Sequence, residues 1–535
     1  MAASRGETEV KKSGLGLDGA GYAKWAWRIA VLAVFAAAFA WRWHFAAKSQ
    51  IYTYDSYYYL VLARNLRHGL DYAVAGHAHF KFLPLYPLSI TFLNLFIPNL
   101  ETAGKLSNVL FSAACVFPIY AIGKLVFGRR SGLIAAALFA FEPISVAWAS
   151  VPMSEGLFTL LTCLSVLFFL RWMKGCRRRD LYLSAGAAGL SMITRWEGVF
   201  LVVFQALFLF YYYYRGRVRF EHLLIAAAIL LVPPALFALR NLIEFGTPFK
   251  SAYANEIRDY LPQLEMFSIG ERLRRYFIFT DLDPLGISTR SYHWGYLLFG
   301  YGGMVLTLFI RRFRPYALFL WAWLIFLGPL HFIWYFASVR FLIPAVPALC
   351  LGAGALLGIP LERLERRRLP AATGAIILAL ALCMVAVLAV TSRPVTNDFY
   401  KRNVIALEDD VGGFAAKEAL LWLKDEGGEG EVVTNLGAEA SFYLGRDALF
   451  LGDWQQFEPA DVKPHLFLEE AREKNVRYVV IHSVERDLEE AMRIAGLDYG
   501  LLDQLRLVGV WYSPPTNSGN TGNHAFVLEV PRDGG

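Results

Sequence analysis

Charged residues are scarce in this chain of 535 residues. Asp, Glu, Lys and Arg make up 18% of it, whereas hydrophobic residues make up 56% and the mean hydropathy is +0.40. A soluble protein carries charge on roughly 25% of its residues. Apolar runs of about 20 residues, long enough to cross a bilayer as a helix, recur through the first 390 positions. The composition therefore excludes an ordinary soluble protein and predicts a polytopic membrane protein.

Cysteine is also rare, with five residues in the chain. Four lie inside apolar runs and Cys176 lies in a basic loop, so none falls in the polar segments 46–103, 245–292 or 392–535. This distribution excludes a disulfide framework and a CxxC metal site. The segment 392–535 also lacks GxGxxG, Walker and zinc-ligand patterns. No small-residue cleavage site follows the first apolar run, which therefore predicts an anchor rather than a removed signal peptide.

Eleven membrane-spanning helices are predicted from the apolar runs. They are expected at about 24–45, 104–127, 131–152, 154–172, 180–194, 198–213, 221–240, 293–311, 315–335, 338–360 and 369–391. The shorter run 83–97 begins with two prolines and is expected to be interfacial or re-entrant.

Basic residues cluster in short segments beside these runs. The clusters are Lys11 and Lys12, then 128–130, 174–179, 215–219, 311–314 and 362–368. Eleven crossings place all of them on one side, whereas a crossing at 83–97 would divide them between the two sides. The positive-inside rule therefore predicts a cytoplasmic N-terminus and an extracytoplasmic C-terminus, and the clusters indicate topology rather than nucleic-acid binding.

The domain organisation follows from this topology. Residues 1–23 form a cytoplasmic tail, and 24–391 a transmembrane domain with two outside loops, 46–103 and 245–292. In the first loop, apolar residues recur with helical spacing in "SYYYLVLARNLRHGL", which predicts a helix along the membrane interface. In the second loop, "IGERLRRYFIF" predicts another surface helix.

Residues 392–535 have the composition of a soluble domain. Helix-like "GGFAAKEALLWLKDEG" and "PHLFLEEAREKN" alternate with strand-like "EVVTN" and "VRYVVIHSV", and "RLVGVWYS" and "HAFVLEV" predict a closing strand pair. The expected fold class is thus mainly α, with about eleven transmembrane helices and a small C-terminal extracytoplasmic α/β domain. That domain is expected to serve as a structural cap or acceptor-docking module rather than as a second active site.

A single acid, Asp55, opens the first outside loop among tyrosines in "IYTYDSYYYL". An Asp before a helical run is an ordinary helix cap, which is one interpretation. The other is a carboxylate at a membrane cavity that takes a proton from an incoming hydroxyl or holds a metal.

Lys81, in "HAHFKFLPLYP", ends the same loop. Alone it is typical of a snorkelling surface lysine, but beside a carboxylate and a proline-bearing turn it could bind a phosphate. His77 and His79 just before it could be zinc ligands, although two histidines form a weak signal.

Four further residues carry charge in or beside predicted spans. Glu155 lies on the predicted outside. There it could stabilise the N-terminus of the next helix, near the positive end of the helix dipole, or serve as a second acid in the same cavity. Glu142 lies in an apolar span, which indicates a cavity or a partner. Arg195 lies two residues before Glu197, with which it could simply pair. Arg340, at the outside end of a span, suits a phosphate at headgroup depth or a snorkelling anchor.

These acids and cations share one predicted face of the membrane. An acid that activates a nucleophile, with cations that stabilise a phosphate leaving group, fits group transfer from a lipid phosphate. Composition alone does not distinguish such a group-transfer enzyme from a lipid or glycan transporter. The transporter hypothesis expects an internal repeat with broken helices, and no such symmetry is visible.

The order of these motifs resembles the GT-C superfamily of integral-membrane glycosyltransferases, in particular its protein O-mannosyltransferase and aminoarabinose-transferase branch. The resemblance covers most of 24–391 and rests, in order, on "YDSYYYLVLARNLRHG", "KFLPLYPL", "LVFGRRSGLIAAALFAFEPISVAWASVPMSEGLF", "RDLYLSAGAAGLSMITRWEG", "ALRNLIEFGTPF" and "RFLIPAVPALCLGAG". "YDSYYYLVLARNL" is also similar to the oligosaccharyltransferase catalytic subunit, but the WWD motif of that family is missing from the C-terminal segment.

The resemblance implies an inverting glycosyltransferase of the plasma (inner) membrane with its active site on the outer face. The implied donor is a polyprenyl- or dolichyl-phosphate sugar, and the acceptor a lipid, glycan or protein. Asp55 matches the catalytic aspartate, while Lys81 and Arg340 match donor-phosphate residues, a role to which Arg195 is added. Many relatives have Asp-Glu where this chain has Asp55 followed by serine. Glu155 is therefore the candidate for the second carboxylate of the site.

Four residues are accessory candidates: His77, His79, Tyr58 and Glu142. The resemblance implies no particular cofactor. A divalent metal is an open alternative, because metal dependence varies across the superfamily.

Overall fold

The computed structural model is built mainly of α-helices, with one sheet near the C-terminus. It describes residues 19–49, 53–69, 72–250, 268–278, 294–327, 339–367, 371–403, 415–451, 464–497, 499–513 and 522–531. Everything below concerns these residues, so the predicted tail 1–23 is seen only from residue 19, and much of the second outside loop lies outside the described residues.

Eleven helices occupy the first half of the chain. They are α1 (Gly19–Lys48), α2 (Tyr54–His68), α3 (Leu85–Asn94), α4 (Leu100–Ala114), α5 (Val116–Val126), α6 (Arg129–Ala140), α7 (Pro143–Ala149), α8 (Glu155–Gly175), α9 (Arg178–Met192), α10 (Gly198–Tyr214) and α11 (Phe220–Phe245). Between α2 and α3, the strands β1 (Ala73–Val74) and β2 (His77–Ala78) form a short antiparallel hairpin.

The helices then continue to the end of the apolar region. They are α12 (Ile269–Ile278), α13 (Trp294–Phe309), α14 (Arg314–Phe326), a 3₁₀ turn (Val339–Ala345), α15 (Val346–Arg367) and α16 (Ala371–Asn403). Helix α12 is the helix predicted in the second outside loop, and α16 continues past residue 391, the predicted end of the last span.

Among the described residues, each of the eleven predicted spans contains helix, although residues 328–335 of the span predicted at 315–335 lie outside the described residues. Not every one of these helices is long enough to cross a bilayer alone. Six segments are: Trp25–Lys48, Leu100–Val126, Glu155–Gly175, Phe220–Phe245, Val339–Arg363 and Ala372–Asn397. The pair α6 and α7, bent by 53°, makes a possible seventh, and Gly198–Tyr214, Tyr296–Phe309 and Arg314–Phe326 are shorter apolar helices. The remaining predicted span falls on α9, which begins with two arginines and an aspartate. The chain is a multi-pass membrane protein.

Helix α3 explains why the run 83–97 is not a span. It has 10 residues, which extend roughly 15 Å, about half the thickness of a bilayer core. The amphipathic helix predicted beside it is α2, but Tyr59, Leu60 and Ala63 on its apolar face are buried in protein. The periodicity therefore reports packing against neighbouring helices.

Glycines set the distance between two pairs of membrane helices. A Cβ on Gly303 of α13 would lie 1.8 Å from the carbonyl oxygen of Gly352 on α15. A Cβ on Gly123 of α5 would lie 2.5 Å from the Cα of Gly132 on α6. Since lipid offers no hydrophobic drive for association, such close backbone approach is a main source of packing energy between membrane helices.

The bend between α6 and α7 has a buried arginine on one side. Arg42 of α1 is fully buried and donates hydrogen bonds to the carbonyl oxygens of Ala140 at 2.6 Å and Phe139 at 3.0 Å. It also donates to Ser112 Oγ at 2.9 Å. The carbonyls that the end of α6 leaves without helical partners are satisfied in this way.

Glu142 satisfies the other side of the bend. Its carboxylate accepts hydrogen bonds from the backbone amides of Ile144 at 3.2 Å and Ser145 at 2.7 Å, which makes it the N-cap of α7. The carboxylate was expected to mark a cavity or a partner. Its partners here are backbone amides in the first turn of α7, which have no acceptor within the helix, so its position has a structural explanation.

The C-terminal region contains a five-stranded sheet of order β4-β3-β5-β7-β6. Its strands are β3 (Glu431–Thr434), β4 (Leu449–Phe450), β5 (Val476–Ser483), β6 (Arg506–Ser513) and β7 (Asn523–Glu529). Strand β3 pairs in parallel with β4 and β5, whereas β7 pairs antiparallel with β5 and β6.

Four helices and a 3₁₀ turn (Tyr499–Leu501) accompany the sheet: α17 (Ala415–Glu426), α18 (Ala438–Leu444), α19 (Pro464–Glu473) and α20 (Leu488–Ile494). The predicted fold class, a helical membrane protein with a C-terminal α/β region, is confirmed.

Candidate active site

The side chain of Asp55 is in an ion pair with Arg340. Asp55 lies in the first turn of α2, whose N-cap is Thr53, so Asp55 is not the cap residue. Arg340 Nη1 donates to Asp55 Oδ2 at 2.7 Å, and each side chain is about one-fifth exposed. Although 285 residues separate them in sequence, the structure joins the predicted base to a predicted phosphate ligand.

Aromatic rings hold the Arg340 guanidinium in place. Its Cζ lies 5.5 Å from the Trp148 ring centroid and 5.2 Å from that of Phe341. The Cζ of Arg195 also lies near this ring, 5.7 Å from the Phe341 centroid. One ring therefore lies beside two cations, and cation–π attraction stabilises both guanidinium groups in a partly desolvated setting.

A second group of charges surrounds Arg195. Its Nη1 lies 2.7 Å from Glu155 Oε1 and its Nη2 lies 2.6 Å from Glu197 Oε1. Glu155 is 1% exposed and opens α8. Burial lowers the pKa of Arg195, but the carboxylates of Glu197 and Glu155 raise it by more, so the net pKa is well above its usual value. The predicted pairing of Arg195 with Glu197 is present, and Glu155 joins it.

Tyr59 and Ser154 connect these charges to the first loop. The Tyr59 and Ser154 hydroxyl oxygens are 2.9 Å apart, and Arg195 Nη1 donates to Ser154 Oγ at 3.1 Å. Burial raises the pKa of Tyr59, which keeps the phenol protonated. We call the set Asp55, Arg340, Arg195, Glu155 and Glu197 the Asp55 cluster.

Lys81 lies on a segment bonded to the loop that carries Arg195. The Trp196 indole N–H donates to the Lys81 carbonyl at 3.3 Å, and the Leu85 amide donates to the Ile193 carbonyl at 3.1 Å. The Phe82 ring next to Lys81 lies 5.0 Å from the ring of Tyr59. The backbone thus brings Lys81 to the neighbourhood of the Asp55 cluster.

His79 is packed as a neutral ring. Its Nε2 accepts a hydrogen bond from the Phe82 amide at 3.0 Å, and the two rings stack 5.4 Å apart. Burial, with the nearby charges of Lys81 and Arg240, lowers the pKa of His79 to about 3. Tyr58 lies 5.6 Å from the same ring. His79 and Tyr58 therefore shape the loop.

His77 is exposed on β2 opposite Val74. Within the described ranges, no three His, Cys, Asp or Glu side chains are grouped so that they could hold a metal ion. The pair of histidines has no such group around it, and the divalent metal stays a hypothesis.

The C-terminal region contacts the first loop through Asp447. Its Oδ1 lies 2.6 Å from Arg64 Nη2 and 3.2 Å from Asn65 Nδ2, and its Oδ2 accepts from the Gly76 amide at 3.2 Å. Arg64 and Asn65 are on α2, and Gly76 is the turn of the β1–β2 hairpin. One carboxylate thus joins α2 and the hairpin to the segment after α18.

A buried tyrosine pair strengthens the same contact. The hydroxyl oxygens of Tyr57 on α2 and Tyr443 on α18 are 2.8 Å apart. Glu439, also on α18, is 4% exposed, and burial raises its pKa to about 7. Helix α18 therefore packs against the helix that carries Asp55.

Three residues of this arrangement were not expected from the sequence: Trp148, Tyr59 and Asp447. Tyr59 and Trp148 look like ordinary apolar-face residues, and only their neighbours Asp55 and Glu155 mark the region. Asp447, in "YLGRDALF", is a loop acid without a local signal. No local pattern in the sequence links Asp447 to a helix about 380 residues earlier.

Comparison with known proteins agrees with this architecture. The family model for dolichyl-phosphate-mannose-protein mannosyltransferases matches residues 81–237. No curated protein matches the chain by sequence.

Solved structures resemble the chain over nearly its whole length. ArnT from Cupriavidus metallidurans, in the apo state, has a TM-score of 0.58 at 13% identity, covering 94% of this chain and 98% of that one. The same protein bound to undecaprenyl phosphate gives 0.55 at 14% identity, covering 95% and 98%. The oligosaccharyltransferase AglB from Archaeoglobus fulgidus, with an inhibitory peptide and a dolichol-phosphate, gives 0.55 at 13% identity, covering 96% and 77%.

These findings confirm the resemblance to the GT-C superfamily. The chain has the GT-C fold, and the family-model match together with that fold supports an enzyme of the glycosyltransferase type.

Proposed function

We propose that this protein is an inverting glycosyltransferase that moves a sugar from a polyprenyl-phosphate donor to an acceptor hydroxyl on the outer face of the membrane. The observation that carries the proposal is the 2.7 Å ion pair between Asp55 and Arg340, set beside a second carboxylate and a second guanidinium. A transferase that uses a lipid-phosphate donor needs both kinds of group: a base for the acceptor and cations for the leaving phosphate.

The ion pair also suggests how donor binding prepares the base. Arg340 presents a planar fork that suits phosphate as well as carboxylate. An arriving donor phosphate competes with Asp55 for this guanidinium and releases the carboxylate toward the acceptor. Trp148 and Phe341 keep the guanidinium at the same position during the exchange.

The transfer is then a single displacement. The acceptor oxygen forms a bond to the anomeric carbon, and the bond from that carbon to the phosphate oxygen breaks with its electron pair on the phosphate. Asp55 takes the acceptor proton, and Arg340 with Lys81 stabilises the charge that develops on the polyprenyl phosphate. Attack from the face opposite the leaving group inverts the anomeric configuration.

Glu155 is proposed as the second acid of the site. Arg195 binds Oε1, whereas Oε2 has no hydrogen-bond partner among the described residues. A buried carboxylate oxygen in that condition is costly, and a sugar hydroxyl would satisfy it. Arg195 fixes the direction of this oxygen and adds positive charge near the phosphate.

The comparisons support a donor of this class. ArnT is described with undecaprenyl phosphate and AglB with dolichol-phosphate, and the matching family model is that of dolichyl-phosphate-mannose-protein mannosyltransferases. This chain covers 98% of ArnT but 77% of AglB. The lack of a WWD motif in residues 392–535 favours transfer of a single sugar over transfer of a whole oligosaccharide.

Two variants test the proposal in membranes supplied with lipid-linked sugars. Asp55→Asn should lower transfer by about 100-fold or more, the usual cost of removing a general base, while undecaprenyl phosphate still binds. Arg340→Gln should weaken both binding and transfer. Asp180→Asn, which removes the carboxylate of the separate Arg171–Asp180 pair, is the matched control. Full transfer by Asp55→Asn would remove Asp55 from catalysis.

The proposed orientation, with a cytoplasmic N-terminus and an extracytoplasmic C-terminal region, has its own test. Val484 is exposed in the C-terminal region, and native Cys176 is exposed in the basic loop after α8. In intact cells an impermeant maleimide should label Val484→Cys and leave the wild-type chain, with Cys176, unlabelled. The reverse pattern would place the active site on the cytoplasmic side.

A further inference from the structure

One cavity lies far from the Asp55 cluster. It has a volume of about 710 Å³ and is lined by the turn 125–128, by Lys174, and by residues within 312–316 and 359–363. Helix α8 runs from Glu155 in the Asp55 cluster to Lys174 at the cavity. Its 21 residues extend roughly 30 Å, so the cavity and the cluster lie at opposite ends of a membrane-spanning helix.

Four basic clusters of the sequence meet at this cavity. Gly128 comes from the cluster 128–130, Lys174 from 174–179, Arg312 from 311–314 and Arg363 from 362–368. Such clusters are explained by topology alone when they merely line one side of a membrane. Their convergence on one concavity is an additional property that topology does not require.

The three cations of the cavity have no carboxylate partner in the described part of the chain. Lys174 donates to the carbonyl of Leu125 at 3.0 Å, and Arg312 lies 4.3 Å from the Phe313 ring, but neither forms a salt bridge, nor does Arg363. Glu362 is the acid in the lining, and its Oε1 accepts from the Arg130 amide at 2.9 Å. The lining therefore carries a net positive charge.

The backbone at Gly128 keeps the cavity in shape. Gly128 has φ of +127°, and a Cβ there would lie 2.7 Å from Glu362 Oε1. The turn between α5 and α6 thus approaches α15 as closely as a glycine allows. Phe127 and Phe313, whose rings meet edge to face at 5.4 Å, supply an apolar wall beside the cations.

We propose that this cavity binds the headgroup of an anionic phospholipid. A site at the end of membrane helices lies at headgroup depth, and basic pockets between such helices on the cytoplasmic side suit lipid phosphates. The volume falls within the range of about 300–1,000 Å³ for small-ligand sites. Lys174, Arg312 and Arg363 would contact the phosphate while the aromatic wall contacts the glycerol and upper acyl chain.

Native mass spectrometry of the full chain in detergent tests the proposal, with phosphatidylglycerol and phosphatidylcholine of identical acyl chains as probes. The wild-type chain should retain phosphatidylglycerol in preference. Each cation near an anionic lipid contributes about fivefold in affinity, so Arg312→Gln with Arg363→Gln should weaken phosphatidylglycerol binding by about 30-fold. Arg178→Gln with Arg179→Gln removes the same charge from exposed positions outside the cavity and should leave binding nearly unchanged.

Several outcomes would overturn the proposal. Equal loss in the two double variants would assign the effect to general surface charge, and equal retention of the two lipids would remove the headgroup preference. Displacement of phosphatidylglycerol by millimolar inorganic phosphate would assign the cavity to a soluble anion. If the double variant does not fold, Lys174→Gln alone should weaken binding by about fivefold, and an unchanged affinity would refute the lipid site.

Discussion

The contact between the C-terminal region and the first outside loop depends on the carboxylate of Asp447. Asp447→Asn keeps the size and shape of the side chain but removes its charge. An asparagine oxygen can still accept from the Gly76 amide, whereas the charge-assisted bond to Arg64 is lost. The substitution therefore weakens one contact of the junction without creating a cavity.

The size of the effect follows from the surroundings of the pair. A hydrogen bond to a charged group is worth about 1.5–3 kcal/mol. Because the Asp447 side chain is 32% exposed and Arg64 is 14% exposed, solvent screens the pair and the lower end applies. A loss of about 1.5 kcal/mol corresponds to about a tenfold increase in the open population of the junction.

Hydrogen exchange measures that population directly, since amides protected by a local contact exchange when it opens. The amides of Ala73–Ala78 and of α18 should exchange about tenfold faster in Asp447→Asn. Glu470→Gln is the matched control, because Glu470 on α19 pairs at 2.7 Å with Lys474, the first residue after that helix. It removes a similar charge pair from the same region.

The reasoning fails if Asp447→Asn leaves exchange of the hairpin unchanged, or if Glu470→Gln accelerates it equally. In the first case the remaining contacts, the Tyr57–Tyr443 hydroxyl pair and the bond from Arg64 to the Ser441 carbonyl, would hold the junction. In the second case the acceleration would report overall loosening of the C-terminal region. A double-mutant cycle with Arg64→Gln should return a coupling of about 1 kcal/mol.

Three further predictions concern packing and pH. Gly303→Ala should force α13 and α15 apart and lower the yield of folded protein in detergent chromatography, whereas Gly302→Ala, whose Cβ would have no neighbour nearer than 3.9 Å, should not; equal yields would contradict the packing argument. The pKa of His79 falls from 6.5 to about 3 on folding. The contribution of the neutral His79 ring to the free energy of unfolding is therefore complete above pH 6.5 and is lost as the pH falls toward 3. When the pH is lowered from 7 to 5, the free energy of unfolding of the wild type should fall by about 2 kcal/mol more than that of His79→Gln. Equal losses, measured by thermal unfolding at the two pH values, would be inconsistent with a ring that folding keeps neutral. The pKa of Glu439 rises from 4.5 to about 7 on folding, so this carboxyl group lowers the free energy of unfolding as the pH rises between those values. Glu439→Gln should therefore raise the free energy of unfolding by about 3 kcal/mol at pH 8 and by little at pH 4.5. A gain independent of pH would show that titration of Glu439 is not its cause.

The sequence predicts the helices well, because a run of about 20 apolar residues has few structural alternatives. It predicts the C-terminal sheet for a similar reason, since strands such as Val476–Ser483 are apolar and bounded by turn residues. The apolar run predicts one continuous span where the structure has a break between α6 and α7, even though "FEPIS" contains the cause of the break, a capping glutamate followed by a proline. Composition averaged over the run concealed that local signal.

The site was only partly predictable. Asp55, Glu155 and Arg340 stand out in the sequence as charges beside apolar runs, and the order of the family motifs implies their roles. Nothing local indicated that Arg340 would contact Asp55 instead of anchoring a helix at the membrane surface. That pairing depends on how the helices pack, as does the contact of Asp447 with α2. Long-range contacts of this kind carry no periodicity for a sequence pattern to report.

The buried guanidinium of Arg42 has a consequence for how the protein is made. Arg42 lies six residues before the end of α1, roughly 9 Å from it. Its carbonyl partner at Ala140 lies 98 residues further along the chain. When α1 leaves the ribosome, the Ala38 carbonyl one turn earlier is already in place, but the partners of Arg42 on α4 and α6 are not yet made. Arg42 therefore acquires its full set of hydrogen bonds, which a buried guanidinium in a membrane needs, only after α6 has been synthesised and inserted beside α1.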